Sequence, residues 1–215
     1  GTVTFKNPYV NDKYVQGEDT ITATVTGHSG GNYEDVKYDN TNNTVKVIDD
    51  KDATTIKIVA PANVDENATK VTYTVEVDNA PQTDLIVTVN VNGTPKEVTI
   101  LKDTKSVTFD VDVREDDKYV QGTDTITATI TGHNGGNYEA VTYDNATYNR
   151  TVNVTDDNDA TTITIKAPTE NVDENATTVT YTLEVDNAPK TDLTVIVNVN
   201  GVDRWFNNKP FKYSP

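Results

Sequence analysis

The sequence predicts an all-β protein made of tandem antiparallel β-sandwiches, and three observations carry that prediction. The apolar residues are mostly Val, Ile and Tyr alternating with Thr, the pattern of strands with one face in a core and one in water. Gly, Pro, Asn and Asp punctuate these runs at short intervals. A unit of about a hundred residues also recurs. At 34% the hydrophobic content is low, but the alternation argues against disorder.

The repeat covers nearly the whole chain. DKYVQGEDTITATVTGHSGGNYE at 12–34 returns as DKYVQGTDTITATITGHNGGNYE at 117–139, offset by 105 residues. VDENATKVTYTVEVDNAPQTDL at 64–85 returns as VDENATTVTYTLEVDNAPKTDL at 172–193, offset by 108. The small difference falls near 145–149 and 170, where loops lengthen without disturbing strands. A unit of this length suits one domain.

Within one unit, alternation and turn residues place strands in order at 54–59, 71–77, 86–91, 97–100, 106–113, 125–131, 138–143 and 151–155. Eight short strands imply two antiparallel sheets packed face to face. No segment sustains a 3.6-residue apolar period, so helices should be almost absent. The acidic run Asp49-Asp50-Lys51-Asp52 and its counterpart Asp156-Asp157-Asn158-Asp159 separate one unit from the next. That choice gives a half-unit at 1–51, a complete unit at 52–158, a second half-unit at 159–201 and a divergent tail at 202–215. The other phase gives two permuted units, 1–104 and 105–215.

The formal net charge is −16 and there is no Cys. A nucleic-acid or anionic-membrane partner would meet a repulsive field, and thiolate metal sites, disulfides and cysteine nucleophiles are excluded. No run approaches the roughly 18 apolar residues of a membrane span, and no charged-then-apolar leader is read, so no membrane insertion is expected. His28 and His133 occupy equivalent Gly-rich turns and read as surface residues. Ser occurs only at 29, 106 and 214, none in a nucleophile-elbow setting. The expectation is a non-enzyme.

The acids cluster at strand ends: Asp65-Glu66, Glu115-Asp116-Asp117, and Asp156-Asp157 with Asp159. An antiparallel sandwich returns every second turn to the same end, so the three clusters can meet at one pole. At about 4–6 Å each like-charged pair costs roughly a kcal/mol or more. Raised carboxyl pKa values or a bound cation would relieve this. Calcium, which takes six to eight oxygens in irregular geometry, fits better than magnesium. Asp and Asn also form turns on their own account, which is the plainer reading of each cluster alone.

VDEN, SVTFDVDVREDDKYVQGTDTITATITG and TVNVTDDND, in that order, resemble the Calx-β type of calcium-binding sandwich. The tandem form, with TGHNGGNYE and DDNDATTITIKAP, resembles the immunoglobulin-like extender modules of giant bacterial adhesins exported by type I secretion. The resemblance covers about 1–201. It implies an extracellular, cell-surface stalk module, rigidified by calcium, that serves attachment and biofilm formation. By position it implies Glu66, Asp116, Asp117, Asp156 and Asp157 as calcium ligands, with Asp124 a neighbour; Asp159 and Asp52 belong to the same acidic runs. The first half-unit offers Asp12, Asp19, Asp49 and Asp50, and the last offers Glu174. Gln121 stands where that family often has an acid, which points to fewer ions.

The tail reads GVDRWFNNKPFKYSP where the first unit continues GTPKEVTILKD. It is either a modified terminal strand or a docking patch for a glycan or protein of host or matrix, built on Trp205, Phe206 and Tyr213. Residues 1–51 and 159–201 lack complementary strands. Copies could therefore join head to tail into a filament, with neighbouring repeats of the same or another chain as partners.

Overall fold

A computed structural model describes residues 1–148 and 150–207. Every regular element among them is a strand: β1 (Asp19–Thr22), β2 (Thr44–Val47), β3 (Ala53–Val59), β4 (Asn63–Asp65), β5 (Lys70–Val77), β6 (Leu85–Val91), β7 (Thr94–Ile100), β8 (Ser106–Asp112), β9 (Asp124–Gly135), β10 (Ala140–Asp144), β11 (Thr151–Thr155), β12 (Ile163–Lys166), β13 (Thr182–Val185), β14 (Thr194–Val199) and β15 (Val202–Asn207). They form a four-stranded sheet β10-β3-β5-β8, a five-stranded sheet β4-β11-β9-β6-β7, and three two-stranded sheets β1-β2, β12-β13 and β14-β15.

The two larger sheets make an immunoglobulin-like sandwich. Alternation puts Ile56 and Ile58 of β3 and Val71, Tyr73, Val75 and Val77 of β5 on one inner face, and Leu85, Val87 and Val89 of β6 on the other, all buried. Tyr73 stacks on Phe109 of β8 with ring centroids 5.4 Å apart. Its hydroxyl donates to the Ile126 carbonyl of β9 at 2.7 Å, so a polar bond ties the sheets through the core. Burial pushes that phenol up to about 12.

Most of the pairing is antiparallel, but not all of it. β10 runs parallel to β3, with Ala140 opposite Ala53 and Asp144 opposite Lys57. The expectation of a purely antiparallel sandwich is corrected here. The chain leaves β9 in one sheet and crosses to the edge of the other, and a crossover frees the strand direction that a hairpin would fix. β9 reaches Gly135, further than alternation predicts, because Gly135 passes under the Asp84 carbonyl at φ 86°, where a Cβ would lie 2.2 Å from that oxygen. β4, three residues long, is too short to show a period. β15 lies in the divergent tail and pairs with β14.

The contacts divide the chain into two compact units. The first comprises Gly1–Asn63, Lys70–Asp112 and Thr125–Asn153. The second comprises Val64–Thr69, Val113–Asp124 and Val154–Pro215. No helix among the described residues is long and apolar enough to cross a membrane.

Candidate metal centre

Among the described residues, each unit contains one acidic centre beside one acidic run. In the second unit Glu66, Asp116 and Asp157 each bring a carboxylate oxygen within 4.8 Å of the others. The turn after β4 holds Glu66, whose amide donates to the Thr155 carbonyl at 3.1 Å, and the residue is only 2% exposed. Asp116 comes from the loop after β8 and Asp157 from the turn after β11. One oxygen each of Glu66 and the half-buried Asp157 is engaged: Glu66 Oε2 accepts from Arg114 Nε at 2.8 Å, and Asp157 Oδ2 accepts from Asn67. Glu66 Oε1 and Asp157 Oδ1 are buried with no hydrogen-bond donor.

Arg114 was not anticipated from sequence. Its guanidinium also meets Asp124 at 3.3 Å, Asp156 at 3.9 Å and the Gly122 carbonyl. The gathered acids thus carry a resident cation, a relief not assigned to a side chain from sequence, where raised pKa values or a bound metal are expected. The available signal was one of the chain's three arginines standing at the head of an acidic run. Lys118 pairs with Asp159 at 2.5 Å and Lys190 with Asp117 at 3.2 Å.

These contacts sort the carboxyl groups. Asp159 is held below the ordinary carboxylate range by its bond from Lys118, and Asp117 by the Tyr119 amide and then Lys190. Asp116 moves the other way. Although the residue is exposed, desolvation of its carboxyl and then the Asp159 and Asp157 charges raise it.

In the first unit Asp50, Asp52 and Glu139 converge within 4.8 Å. Asp52 pairs with Lys13 at 3.0 Å, and its amide donates to Glu139 Oε2 at 2.5 Å. Glu139 Oε1 is buried without a donor. The Asp52 amide acts to lower the Glu139 carboxyl, but desolvation with the charges of Asp49 and Asp50 outweighs it and leaves the group raised. Glu139 was missed in sequence because it sits in the NYE turn, far from any acidic run.

Other sequence-predicted acids serve turns or ion pairs outside the two convergent triads. Asp12 accepts from the Tyr14 amide and Gln16 side chain, Asp49 from the Gln16 amide, and Asp156 from the Gln121 amide. Asp117 and Asp124 are engaged as described above. Asp19 lies in β1, and Glu174 is exposed in a turn. Trp205, 66% exposed, and Phe206 stand on β15 opposite Ile196 and Val195. Trp205 and Phe206 are therefore not packed into a sandwich. Tyr213 lies outside the described residues.

Three convergent carboxylates, two of which also carry a buried oxygen without a donor, suit a hard divalent cation whose coordination shell backbone carbonyls or water would complete. Residues 52–157 match the LapA domain. Among curated proteins none matches the sequence. Among solved structures the chain is similar to the apo-form Calx CBD1 domain, at 15% identity over 48% of this chain and 98% of that one with a TM-score of 0.39. It is also similar to CBD12 from CALX1.2, at 15% identity over 47% of this chain and 45% of that one with a TM-score of 0.38. A third similar structure is the CARDB domain of a Pyrococcus furiosus protein in complex with di-metal ions, at 23% identity over 48% of this chain and 91% of that one with a TM-score of 0.26.

Proposed function

We propose that this chain is a non-enzymatic repeat module of a bacterial cell-surface adhesin, stiffened by calcium at the acidic turns between repeats and serving attachment and biofilm formation. The LapA match over 52–157 supports the adhesin reading, and the repeat unit is taken as 52–158. The undonated, buried Oε1 of Glu66 beside Asp116 and Asp157 carries the calcium reading. Glu66, Asp116 and Asp157 would hold the ion, which supplies positive charge that the single guanidinium of Arg114 does not.

Stiffening follows from the repetition. Asp50 and Asp157 occupy the same place in successive acidic runs. Around that shared aspartate, the second unit gathers carboxylates from the repeat before the joint, Glu66 and Asp116, and the first unit gathers one from the repeat after it, Glu139. A cation held from both sides would couple consecutive repeats. Extracellular calcium modules bind with dissociation constants of about 10⁻⁴–10⁻³ M, and a tenfold excess stabilises a site by roughly 1.4 kcal/mol.

Thermal melts in millimolar calcium and in chelator test this. The expected gain is about 5–10 °C for a domain of this size. It should vanish in Glu66→Gln and persist in Glu174→Gln. Equal melting temperatures for the unaltered protein would discard calcium and leave the sandwich intact. A second reading, favoured by the exposed apolar faces of β12 and β13 and of β14 and β15, is head-to-tail strand complementation between copies into a filament. Light scattering that gives a strict monomer at micromolar concentration would end it.

A further inference from the structure

A tyrosine contact occurs twice, each time from the hydroxyl to a backbone carbonyl and not to a carboxylate. In the first unit the DKYVQG turn presents Tyr14, whose hydroxyl donates to the Ala80 carbonyl at 2.5 Å. In the second unit the same turn presents Tyr119, whose hydroxyl donates to the Ala188 carbonyl at 2.6 Å. Both acceptors lie in a VDNAP turn. The proline that follows each alanine restricts it to extended backbone, which fixes where its carbonyl points. Each tyrosine is set by the same local device, an Asp two residues earlier that accepts its amide at 2.8 Å or 2.7 Å.

The surroundings of the two rings differ. Tyr14 stacks on Tyr138 with centroids 5.6 Å apart, and Tyr138 donates to the neighbouring Asn79 carbonyl. Tyr119 lies instead under Lys190, whose ammonium is 3.9 Å from the ring centroid. Because the hydroxyl-to-carbonyl bond survives this change of environment, it is the constant part of the contact. Beside Tyr14, the amides of Val15 and Glu139 donate to the carbonyls of Asn137 and Lys13 at 3.0 and 3.1 Å, a two-bond β-bridge.

We propose that the DKYVQG and VDNAP turns are a matched pin and socket by which one repeat seats on the next, and that this contact keeps the joint ordered when the cation is withdrawn. The partner that fits each socket is a further repeat carrying Asp-Lys-Tyr. This rests on the repeat reading of the chain but not on calcium.

Amide hydrogen exchange of the whole chain in chelator tests it. Tyr14→Phe keeps the ring and deletes the donor, so Val15 and Glu139 should exchange about fivefold faster, the equivalent of one net hydrogen bond, while Val75 in the core is unchanged and reports that the variant is folded. Tyr38→Phe, which removes a hydroxyl bonded to His28 Nδ1, should leave both amides as they were. Unchanged exchange in Tyr14→Phe overturns the proposal. So does loss of all protection at Val15 and Glu139 in the unaltered protein on chelation, since the cation would then be what holds the joint. A calcium-independent melt with protected Val15 and Glu139 would sink the calcium reading and leave the pin standing.

Discussion

Tyr73 is fully buried at the heart of the sandwich, whereas Tyr181, in the same VTYT motif 108 residues later, is 53% exposed. Ile58 and Ile165 differ in the same way, at 0% and 48%, and so do Val152 and Val45. The sequences are nearly identical, so their propensities cannot explain the contrast. In the central stretch the inner face of β3 and β5 lies against β6 and β9, while β12 and β13 pair only with each other. Alternation determines which side chains share a face, but a facing sheet is what removes that face from water.

The sharpest way to break this comparison is to truncate equivalent residues. Ile58→Ala should cost about 2–5 kcal/mol in a denaturant melt, and Ile165→Ala less than about 0.5 kcal/mol. Equal costs would mean that β12 is covered in solution, by another repeat or another copy.

A smaller effect separates the two acidic centres. Where the second unit has Arg114 and Asp116, the equivalent positions before the first acidic run hold Tyr9 and Asn11. Arg114→Leu strands the buried Glu66 carboxylate and should cost up to about 3 kcal/mol in chelator. If calcium binds there, the cost measured by calorimetry should shrink in millimolar calcium. An unchanged cost would show that the guanidinium and the ion do not share the site.

The smallest effect is on pH dependence. Asp116 and Glu139 are raised in the folded state, so in chelator the fold should gain stability as pH falls from neutrality through their folded values. Asp117, Asp144, Asp159 and Asp186 are lowered, so their contribution is complete above the usual value of 3.8 and is lost as pH falls below it. Melting temperature should therefore pass through a maximum between neutrality and about 3.8, and the gain from calcium should shrink toward acid as protons compete for the carboxylates. A monotonic fall from neutrality in chelator would contradict the raised pair.

Much of this molecule is legible in order along the chain. The strands at 54–59, 71–77 and 151–155 follow from alternation, and the paired glycines Gly30-Gly31 and Gly135-Gly136 take the positive φ that their pairing suggested. β15 and β4 were harder, one because the tail departs from the repeat and the other because three residues show no period. Of the candidate site, the acids at strand ends were visible as turn chemistry. Arg114 and Glu139 were not, because nothing local to either residue marks a partner dozens of residues away.

Strand positions, the repeat and the acidic turns are properties of neighbouring residues, so sequence alone determined them. The parallel seating of β10 on β3, the choice of Glu66, Asp116 and Asp157 over nearby acids, the guanidinium among them, and the seating of Tyr14 and Tyr119 on distant carbonyls were decided only by tertiary structure. Each depends on which far segments meet and in what register, and local periodicity carries no information about either.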